Sequence, residues 1–387
     1  WLVDLGPGAG PHGGELLAAG PPESVARDPK SLTGRYLSGG QRIGGSRRRE
    51  SLLSPGHLVI HEAAEHNLQR LTVRFPVGLL TCVTGVSGSG KSTLVDDILR
   101  RALARHFYNA KDLPGRHREV TGLEHFDKLV VVDQDPIGRS PRSNPVTYLG
   151  VFTEIRKLFA SLPASKVRGF TPGTFSFNTK GGRCEACEGD GQIRIDMHFL
   201  TDVFVTCDAC GGRRYQRDVL DVTYKGRSVA EVLAMSFEEA SSFFRAVPQV
   251  SEKLRTVCLV GLGYLRLGQG ANTLSGGEAQ RLKLAAELGK RATGRTLYLL
   301  DEPTTGLHFQ DIEVLLGVLF RLRDSGNTLI VIEHNLDVIR SADWVVDLGP
   351  GGGEAGGRLV VEGPPETIAA CAASETGRFL QRCLGRP

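Results

Sequence analysis

The feature that most restricts how this 387-residue chain folds is a glycine-rich phosphate-binding pattern, GVSGSGKST, at residues 85–93. A short apolar run, LLTCVTG, leads into it, and the following STLVDDILRRALA has helical spacing. In a strand–loop–helix unit, backbone N–H groups and the positive end of the helix face a bound phosphate. A purely structural loop is the alternative, which the complete pattern disfavours. The predicted ATP-binding residues of this loop are Gly85, Gly88, Gly90, Lys91, Ser92 and Thr93.

Chemistry assigns roles within the loop. Lys91 is expected to bridge the β- and γ-phosphates, and the Ser92 hydroxyl is expected to bind Mg²⁺. Asp301 ends the apolar run TLYLLD, and a carboxylate there is poorly solvated unless it faces a cation, so it is a second predicted Mg²⁺ contact. Glu302 would orient or deprotonate the attacking water. A pair of solvated carboxylates is the alternative for this dipeptide.

Three further apolar runs, at residues 129–133, 296–301 and 328–333, are typical of parallel strands covered on both faces. We therefore predict an α/β fold, a P-loop ATPase core with a parallel sheet. The segment LSGGEAQRLKLAAEL, residues 274–288, predicts a helix whose N-terminal Ser275, Gly276 and Gly277 suit a γ-phosphate. A similar string, LSGGQR at residues 37–42, is not followed by an amphipathic helix and is not expected to act as such a site.

Four cysteines form the pattern C-x2-C-x19-C-x2-C. Two such knuckles supply four thiolates at tetrahedral geometry, the usual structural Zn²⁺ site. The predicted ligands are Cys184, Cys187, Cys207 and Cys210. Redox dithiols are the alternative. The other four cysteines are scattered, which favours reduced thiols over disulfides.

Residues between and beside the knuckles suggest a nucleic-acid contact. QIRIDMHFLTDVFVT alternates and predicts a hairpin. Cations that flank an aromatic residue can hold phosphates and stack on a base. The candidate DNA contacts are Lys180, Arg183, Arg213, Arg214, Tyr215 and Arg217. Solvated charges on a zinc knuckle are an equally weighted alternative.

The chain also contains a repeat: residues 1–25 match residues 344–368, and the match continues from SLTGRYL at residue 31 to SETGRFL at residue 374. Both copies are endings, so the chain is expected to be the C-terminal part of a tandem protein.

Five segments are predicted: the tail of a truncated preceding module (1–38), a linker (39–56), the first part of the ATPase core (57–150), an inserted helical domain with the zinc module (151–272), and the second part of the core (273–387). In the inserted domain, Ser236 and Glu239 have the spacing of a helix capping box.

The bulk composition is less specific. A net charge of +4 does not by itself indicate nucleic acid as a partner. No apolar run is long enough for a membrane-spanning helix, and there is no secretory signal, so a soluble, cytoplasmic protein is expected.

These motifs together resemble the ATP-binding-cassette superfamily. By this resemblance Gln134 corresponds to its Q-loop, LSGGE to its signature, Asp301 and Glu302 to its Walker B pair, and His334 to its γ-phosphate-sensing switch histidine. With GRCEACEGDG, MHFLTDVFVTCDAC and LLDEPTTGLHFQD, nearly the whole chain is similar to the UvrA family of bacterial nucleotide excision repair.

The family resemblance implies an ATPase that uses ATP, Mg²⁺ and Zn²⁺, dimerises, recognises damaged duplex DNA and loads UvrB, without being a nuclease. Because cassette sites combine the Walker motifs of one module with the signature of another, this chain alone is expected to hydrolyse ATP poorly. A UvrA-like paralogue in antibiotic resistance, a transporter ATPase, and a DnaJ-type protein-binding module that shares the zinc knuckles are the alternatives. The four cysteines disfavour a transporter, and the ATPase core disfavours the DnaJ type.

Overall fold

The computed structural model describes residues 1–8, 10, 13–43, 55–138, 142–195, 197, 203–290 and 293–384. Packing divides the chain into two compact units. The first comprises Trp1–Pro7, Gly13–Gln134 and Lys290–Pro387, and the second comprises Gly8–His12 and Asp135–Gly289. Most of the predicted linker, from residue 44 to residue 54, lies outside the described residues.

The strands are β1 (Leu2–Gly6), β2 (Glu15–Gly20), β3 (His57–Ala63), β4 (Leu71–Pro76), β5 (Leu80–Gly85), β6 (Glu119–Thr121), β7 (Lys128–Val132), β8 (Gln192–Ile195), β9 (Val203–Thr206), β10 (Thr223–Tyr224), β11 (Arg227–Ser228), β12 (Thr296–Asp301), β13 (Thr328–Ile332), β14 (Trp344–Gly349) and β15 (Arg358–Gly363).

The α-helices are α1 (Pro22–Arg27), α2 (Leu32–Leu37), α3 (Arg101–Tyr108), α4 (Pro145–Tyr148), α5 (Val151–Ser161), α6 (Pro163–Val167), α7 (Arg217–Leu220), α8 (Val229–Ala234), α9 (Phe237–Phe243), α10 (Pro248–Leu259), α11 (Gly276–Leu288), α12 (Phe309–Asp324), α13 (Leu336–Ser341), α14 (Pro365–Ala370) and α15 (Glu375–Leu384). A π-helical segment, Thr93–Arg100, joins the phosphate loop to α3. Among the described residues no helix combines the length and the apolar character needed to cross a membrane.

The first unit is built on a six-stranded sheet with the order β15-β14-β5-β13-β12-β7. Its strands β7, β12, β13 and β5 are parallel, as the apolar runs predicted, and β14, which no apolar run predicted, also pairs in parallel with β5. Every residue of β5 and β13 is buried. Two further features were not predicted: the antiparallel edge strand β15, and a separate antiparallel sheet with the order β4-β3-β6. Strand β3, HLVIHEA, mixes buried and partly exposed residues, so it lacks the continuous apolar run of a parallel strand.

The parallel register brings the predicted catalytic segments to one edge of the sheet. Val132 of β7 pairs with Leu300, and Asp301 of β12 pairs with Ile332. Strand β5 ends at Gly85, next to β13. The carboxyl ends of four strands therefore meet where the phosphate loop begins, the usual position of ligand sites in open α/β sheets.

The two copies of the repeat have the same local structure. Each is a strand pair followed by two helices, β1-β2-α1-α2 and β14-β15-α14-α15, with the register shift at the same place. Asp4 accepts hydrogen bonds from the Ser31 and Thr33 hydroxyls at 2.5 and 2.6 Å. Asp347 accepts equivalent bonds from Ser374 and Thr376 at 2.6 and 2.8 Å.

The copies differ in what surrounds them. Val346 and Leu348 of β14 are buried because β14 lies between β15 and β5. Their counterparts Val3 and Leu5 are 56% and 65% exposed, and within the described residues β1 pairs only with β2. At the end of α2, Ser38 is the C-cap residue, so LSGGQR begins at the end of a helix, and residues 38–43 are not helical. The segment that follows, for which no amphipathic helix is predicted, lies outside the described residues.

The second unit is helical and carries the antiparallel β8–β9 pair, which confirms the predicted hairpin. Helix α9 begins with the predicted Ser236–Glu239 capping box. Helix α11, which begins within LSGGE, packs on α10 and is therefore grouped with this unit. The packing boundary thus falls after Gly289, whereas the sequence placed a domain boundary before residue 273. The assignment of functional domains remains a prediction.

The difference between the copies leads to a stability prediction. Asp347 also accepts a 2.8 Å bond from Thr84 on β5, and Asp4 has no such third bond among the described residues. Asp347→Ala should lower the free energy of unfolding by about 2–4 kcal/mol, because it leaves three hydroxyl donors without their acceptor. The matched Asp4→Ala should cost less. Urea denaturation of both variants measures the difference, and equal losses would contradict the role given to Thr84.

Candidate nucleotide site and zinc centre

The phosphate loop needs its glycines for two reasons. Gly85, Gly88 and Gly90 have φ values of 132°, 74° and 103°, in the region that favours glycine. A Cβ atom at Gly85 would lie 2.1 Å from the Leu348 carbonyl oxygen, and one at Gly90 would lie 2.5 Å from Leu68 Cδ2. Close packing therefore requires glycine at Gly85 and Gly90, in addition to any requirement that a phosphate approach the backbone.

Lys91 is buried at the start of the helix that follows the loop. Its Nζ donates to the carbonyl oxygens of Gly85 and Val86, each at 2.9 Å. Burial lowers the pKa of Lys91, and the negative charges of Glu302, Asp347 and Asp301 oppose that shift. The ammonium group of Lys91 is thus held across the loop by two carbonyl groups.

Asp301, the last residue of β12, lies in a carboxylate-rich environment. Its pKa is raised, first by desolvation and then by repulsion from Asp96, Glu302, Asp133 and Glu333. Such a concentration of acidic groups is stabilised by a bound cation, and oxygen ligands suit Mg²⁺. With the Ser92 hydroxyl at the loop, the donor set fits the predicted Mg²⁺.

Glu302 and His334, predicted from separate motifs, are neighbours. Glu302 Oε1 lies 3.5 Å from His334 Nε2, and the Thr305 hydroxyl donates to Glu302 Oε2 at 3.4 Å. Glu302 has φ 42°, an uncommon conformation for a residue with a side chain. Both side chains are nearly half exposed, so a ligand could reach them.

The other predicted ATP contacts occupy two places. Gln134 is exposed and follows β7 at the end of a segment of the first unit. In the second unit, Ser275 is the N-cap of α11 and forms a capping box with Glu278, so Gly276 and Gly277 form the first turn. This confirms the predicted helix N-terminus, with Ser275 and Gly276 exposed.

Sequence reasoning missed a second support of the phosphate loop. Asn67 Nδ2 donates to the carbonyl oxygens of Gly88 and Gly353 at 2.9 and 3.0 Å. The turn between β14 and β15 also contacts the loop, with Gly353 N donating to Gly88 O and Gly357 N to Ser89 O. In the sequence, the glycine run of this turn is identified only as part of the repeat. The high density of glycines in this turn is the sequence signal that could have predicted close backbone packing.

Glu333 was also missed. It is 1% exposed and accepts backbone N–H bonds from Thr304, His334 and Asn335 at 3.1, 2.9 and 3.0 Å. Desolvation raises its pKa, although these hydrogen bonds oppose the shift. Its carboxylate therefore joins the segment after Glu302 to the segment of His334. A charged residue at the end of the apolar run TLIVIE was the available signal.

The four predicted zinc ligands come together. All four cysteines are buried, and their Sγ atoms lie within 4.8 Å of one another. The Sγ atoms of Cys187 and Cys210 are 3.8 Å apart. A tetrahedral site with Zn–S bonds of about 2.3 Å places its sulfurs ~3.8 Å apart, so the set fits Zn²⁺. Gly191 N donates to Cys187 Sγ at 3.3 Å, an additional support for a thiolate.

The candidate DNA contacts beside this centre divide into two groups. Tyr215 is buried and donates to the Phe175 carbonyl at 2.9 Å, so the expected stacking of Tyr215 on a base is wrong for this structure. Arg183 is also buried and is ion-paired with Glu185. Arg214 lies over the Phe177 ring, with its guanidinium 5.3 Å from the ring centroid. The exposed candidates are Lys180, Arg213 and Arg217.

The β8–β9 hairpin exposes apolar side chains that the sequence did not single out. Their exposed fractions lie between 41% and 46%, for Ile193, Ile195, Met197, Val203, Phe204 and Val205. An apolar, solvent-exposed ribbon beside the four-cysteine cluster is unusual for a free surface and marks it as a contact candidate.

The parallel sheet, phosphate loop, Walker B pair and capped signature helix define a nucleotide-binding protein of the ATP-binding-cassette class. No family model matches the chain. It is 58% identical over 384 residues to UvrABC system protein A of Escherichia coli K12, covering 99% of this chain and 41% of that protein. It is 59% identical over 385 residues to the Mycobacterium bovis protein of the same name, covering 100% of this chain and 40% of that protein.

A solved structure agrees. UvrA2 from Deinococcus radiodurans superposes with a TM-score of 0.92 at 49% identity, covering 99% of this chain and 46% of that one. The chain belongs to the UvrA family. It spans about two-fifths of the length of the curated relatives that it matches.

The zinc centre leads to a test by metal content. Purified wild-type chain should contain one Zn²⁺ per molecule, and Cys207→Ser should lose it and destabilise the second unit, because metal binding is coupled to folding. Cys258→Ser, outside the cluster, should retain the metal. Atomic absorption and thermal unfolding give the readouts. A metal-free wild-type chain with an oxidisable dithiol pair would favour the redox alternative.

Proposed function

We propose that this chain is the ATP-binding and ATP-hydrolysing part of a UvrA-type subunit that recognises DNA damage, binds duplex DNA and loads UvrB. The observation that carries the proposal is the meeting of Lys91, Asp301, Glu302 and His334 at one sheet edge, in a chain that also holds a four-cysteine centre. Identity of 58% over nearly the whole chain to UvrABC system protein A supports the assignment.

In this proposal each residue acts on a bound nucleotide. Lys91 would exchange its loop carbonyls for the β- and γ-phosphates, and Ser92 and Asp301 would hold Mg²⁺. The metal would neutralise charge on the phosphates. Glu302 orients the attacking water, and His334, next to Glu302, senses the γ-phosphate. Gln134 is assigned to the same site by family resemblance.

The signature residues Ser275, Gly276 and Gly277 complete the site of another cassette in this class. We therefore propose that the chain binds ATP by itself and turns it over slowly unless two modules pair. A homodimer for the full-length protein is part of the same proposal. Hydrolysis per molecule should then rise with protein concentration.

The nucleotide assignment is tested at Lys91. Lys91→Ala should weaken ATP affinity at least about tenfold, because a charge-assisted contact to phosphate is lost. Lys111→Ala, at an exposed lysine, should leave affinity unchanged. Titration with a fluorescent ATP analogue gives both dissociation constants. Equal affinities for the two variants would contradict the assigned role.

The DNA contact is proposed at the exposed cations Lys180, Arg213 and Arg217 and at the β8–β9 hairpin. Arg213, Arg214 and Arg266 also line a cavity of about 640 Å³ within the second unit. Cations held on a concave surface suit a phosphodiester backbone, and an apolar ribbon suits a deformable duplex more than a base-specific contact.

Charge reversal tests this surface. Arg213→Glu with Arg217→Glu should weaken binding to both damaged and intact duplexes by about tenfold or more and reduce the slope of affinity against salt. The matched control is Lys111→Glu, in the other unit. Fluorescence anisotropy over a salt series measures both effects. Unchanged affinity at low salt would exclude these residues as DNA contacts.

Two finer points belong to the same proposal. UvrB as the partner rests on family resemblance, because the chain covers 41% of the E. coli relative. The repair subunit is proposed over a resistance paralogue because identity to UvrABC system protein A is 58–59% over nearly the whole chain.

A further inference from the structure

The N-terminal copy of the repeat contacts the segment that follows the Walker B pair. Thr33 Oγ1 lies 3.0 Å from His308 Nε2, and the Tyr36 ring stacks on Phe309 with centroids 5.2 Å apart. The Tyr36 hydroxyl donates to Glu313 Oε2 at 3.2 Å. All five residues belong to the first unit. Helix α2 therefore packs on the start of α12, a contact that neither the sequence motifs nor the assigned roles explain.

The donor and the acceptor of each hydrogen bond between His308, Thr33 and Asp4 can be assigned. His308 Nδ1 accepts from the backbone N–H of Gln310 at 3.3 Å and caps α12. In the neutral imidazole the proton then lies on Nε2, which donates to Thr33 Oγ1. The Thr33 hydroxyl in turn donates to Asp4 Oδ1 at 2.6 Å. A continuous relay of hydrogen bonds therefore runs from Asp4 through Thr33 to His308, the N-cap residue of α12.

The relay ends close to the proposed water-orienting residue. Residues 303–307 connect Glu302 to His308 in a short turn, in which Leu307 N donates to Thr304 O. Thr305 contacts Glu302 Oε2, and Thr304 N donates to Glu333. The turn is thus held by Glu333 near one end and by the α2 contact at the other. Because Glu302 has φ 42°, its orientation depends on how this turn is held.

We propose that α2 is a brace for the catalytic segment and that Thr33 and Tyr36 are positioning residues for Glu302. This inference rests on the proposed ATP hydrolysis. The second copy of the repeat offers a matched comparison. Phe379 stands at the position of Tyr36, is 45% exposed, and contacts only Arg378 and Arg382 among the ring contacts of the described residues. The aromatic position is thus shared, whereas the contact with α12 belongs to the N-terminal copy.

Hydrogen–deuterium exchange tests the brace without nucleotide. Thr33→Val and Tyr36→Ala should each increase exchange of the peptide covering residues 303–311 by about three- to tenfold, the effect of losing one or two exposed contacts. Thr33→Ser keeps the hydroxyl and should restore wild-type exchange. Phe379→Ala should leave this peptide unchanged. Wild-type exchange in Thr33→Val and Tyr36→Ala would overturn the proposal.

Turnover supplies the second readout. Thr33→Val should lower kcat for ATP about three- to tenfold with an unchanged dissociation constant for nucleotide, since Glu302 is affected and Lys91 is not. A parallel loss of nucleotide affinity would overturn the positioning role. If Lys91→Ala bound ATP as tightly as wild type, the assigned nucleotide site would fail, and the exchange comparison would still decide whether the brace exists.

Discussion

The close approach of β14 and its turn to the phosphate loop is the constraint on which the rest of the nucleotide site depends. A Cβ atom at Gly85 would lie 2.1 Å from Leu348 O, and one at Gly352 would lie 2.5 Å from Ser87 O. The Thr84 hydroxyl bonds to Asp347, one residue before Leu348. Because backbone contacts backbone with no intervening side chain, the loop conformation is determined jointly by two segments far apart in the sequence.

That shared backbone contact sets the electrostatics of the site. It holds Lys91 where its positive charge acts on Asp301, Glu302 and Asp347, whose negative charges in turn oppose the loss of its proton. Desolvation, and after it repulsion from four neighbouring carboxylates, raises the pKa of Asp301. Carboxylate oxygens are ligands that Mg²⁺ prefers, so this acidic environment is consistent with the Mg²⁺ inferred from the donor set.

The sequence predicted what depends on local pattern. Four of the five parallel strands follow from continuous apolar runs, the β8–β9 pair from alternation, and the cysteine cluster from its spacing. Contacts between distant segments were not predictable, because no local signal marks a partner: Asn67 supports the phosphate loop, and Glu333 holds the turn after Glu302. For Tyr215, by contrast, a local pattern was present but led to a wrong prediction. Flanking arginines suggested an exposed stacking residue, whereas burial against Phe175 decided its position.

The repeat shows how far a sequence pattern determines structure and where the surroundings decide function. Asp4 and Asp347 organise the same hydroxyl contacts in both copies, so the local fold follows from sequence. In the second copy the carboxylate also bonds to the phosphate-loop strand through Thr84. In the first copy the relay continues through Thr33 to His308 instead. The second copy of the repeat therefore supports the phosphate loop of its own sheet, whereas the first copy contacts the segment after Glu302. Since the hydroxyl and carboxylate are common to both copies, the difference arises from the element that each copy packs against, a property that the repeat itself does not encode.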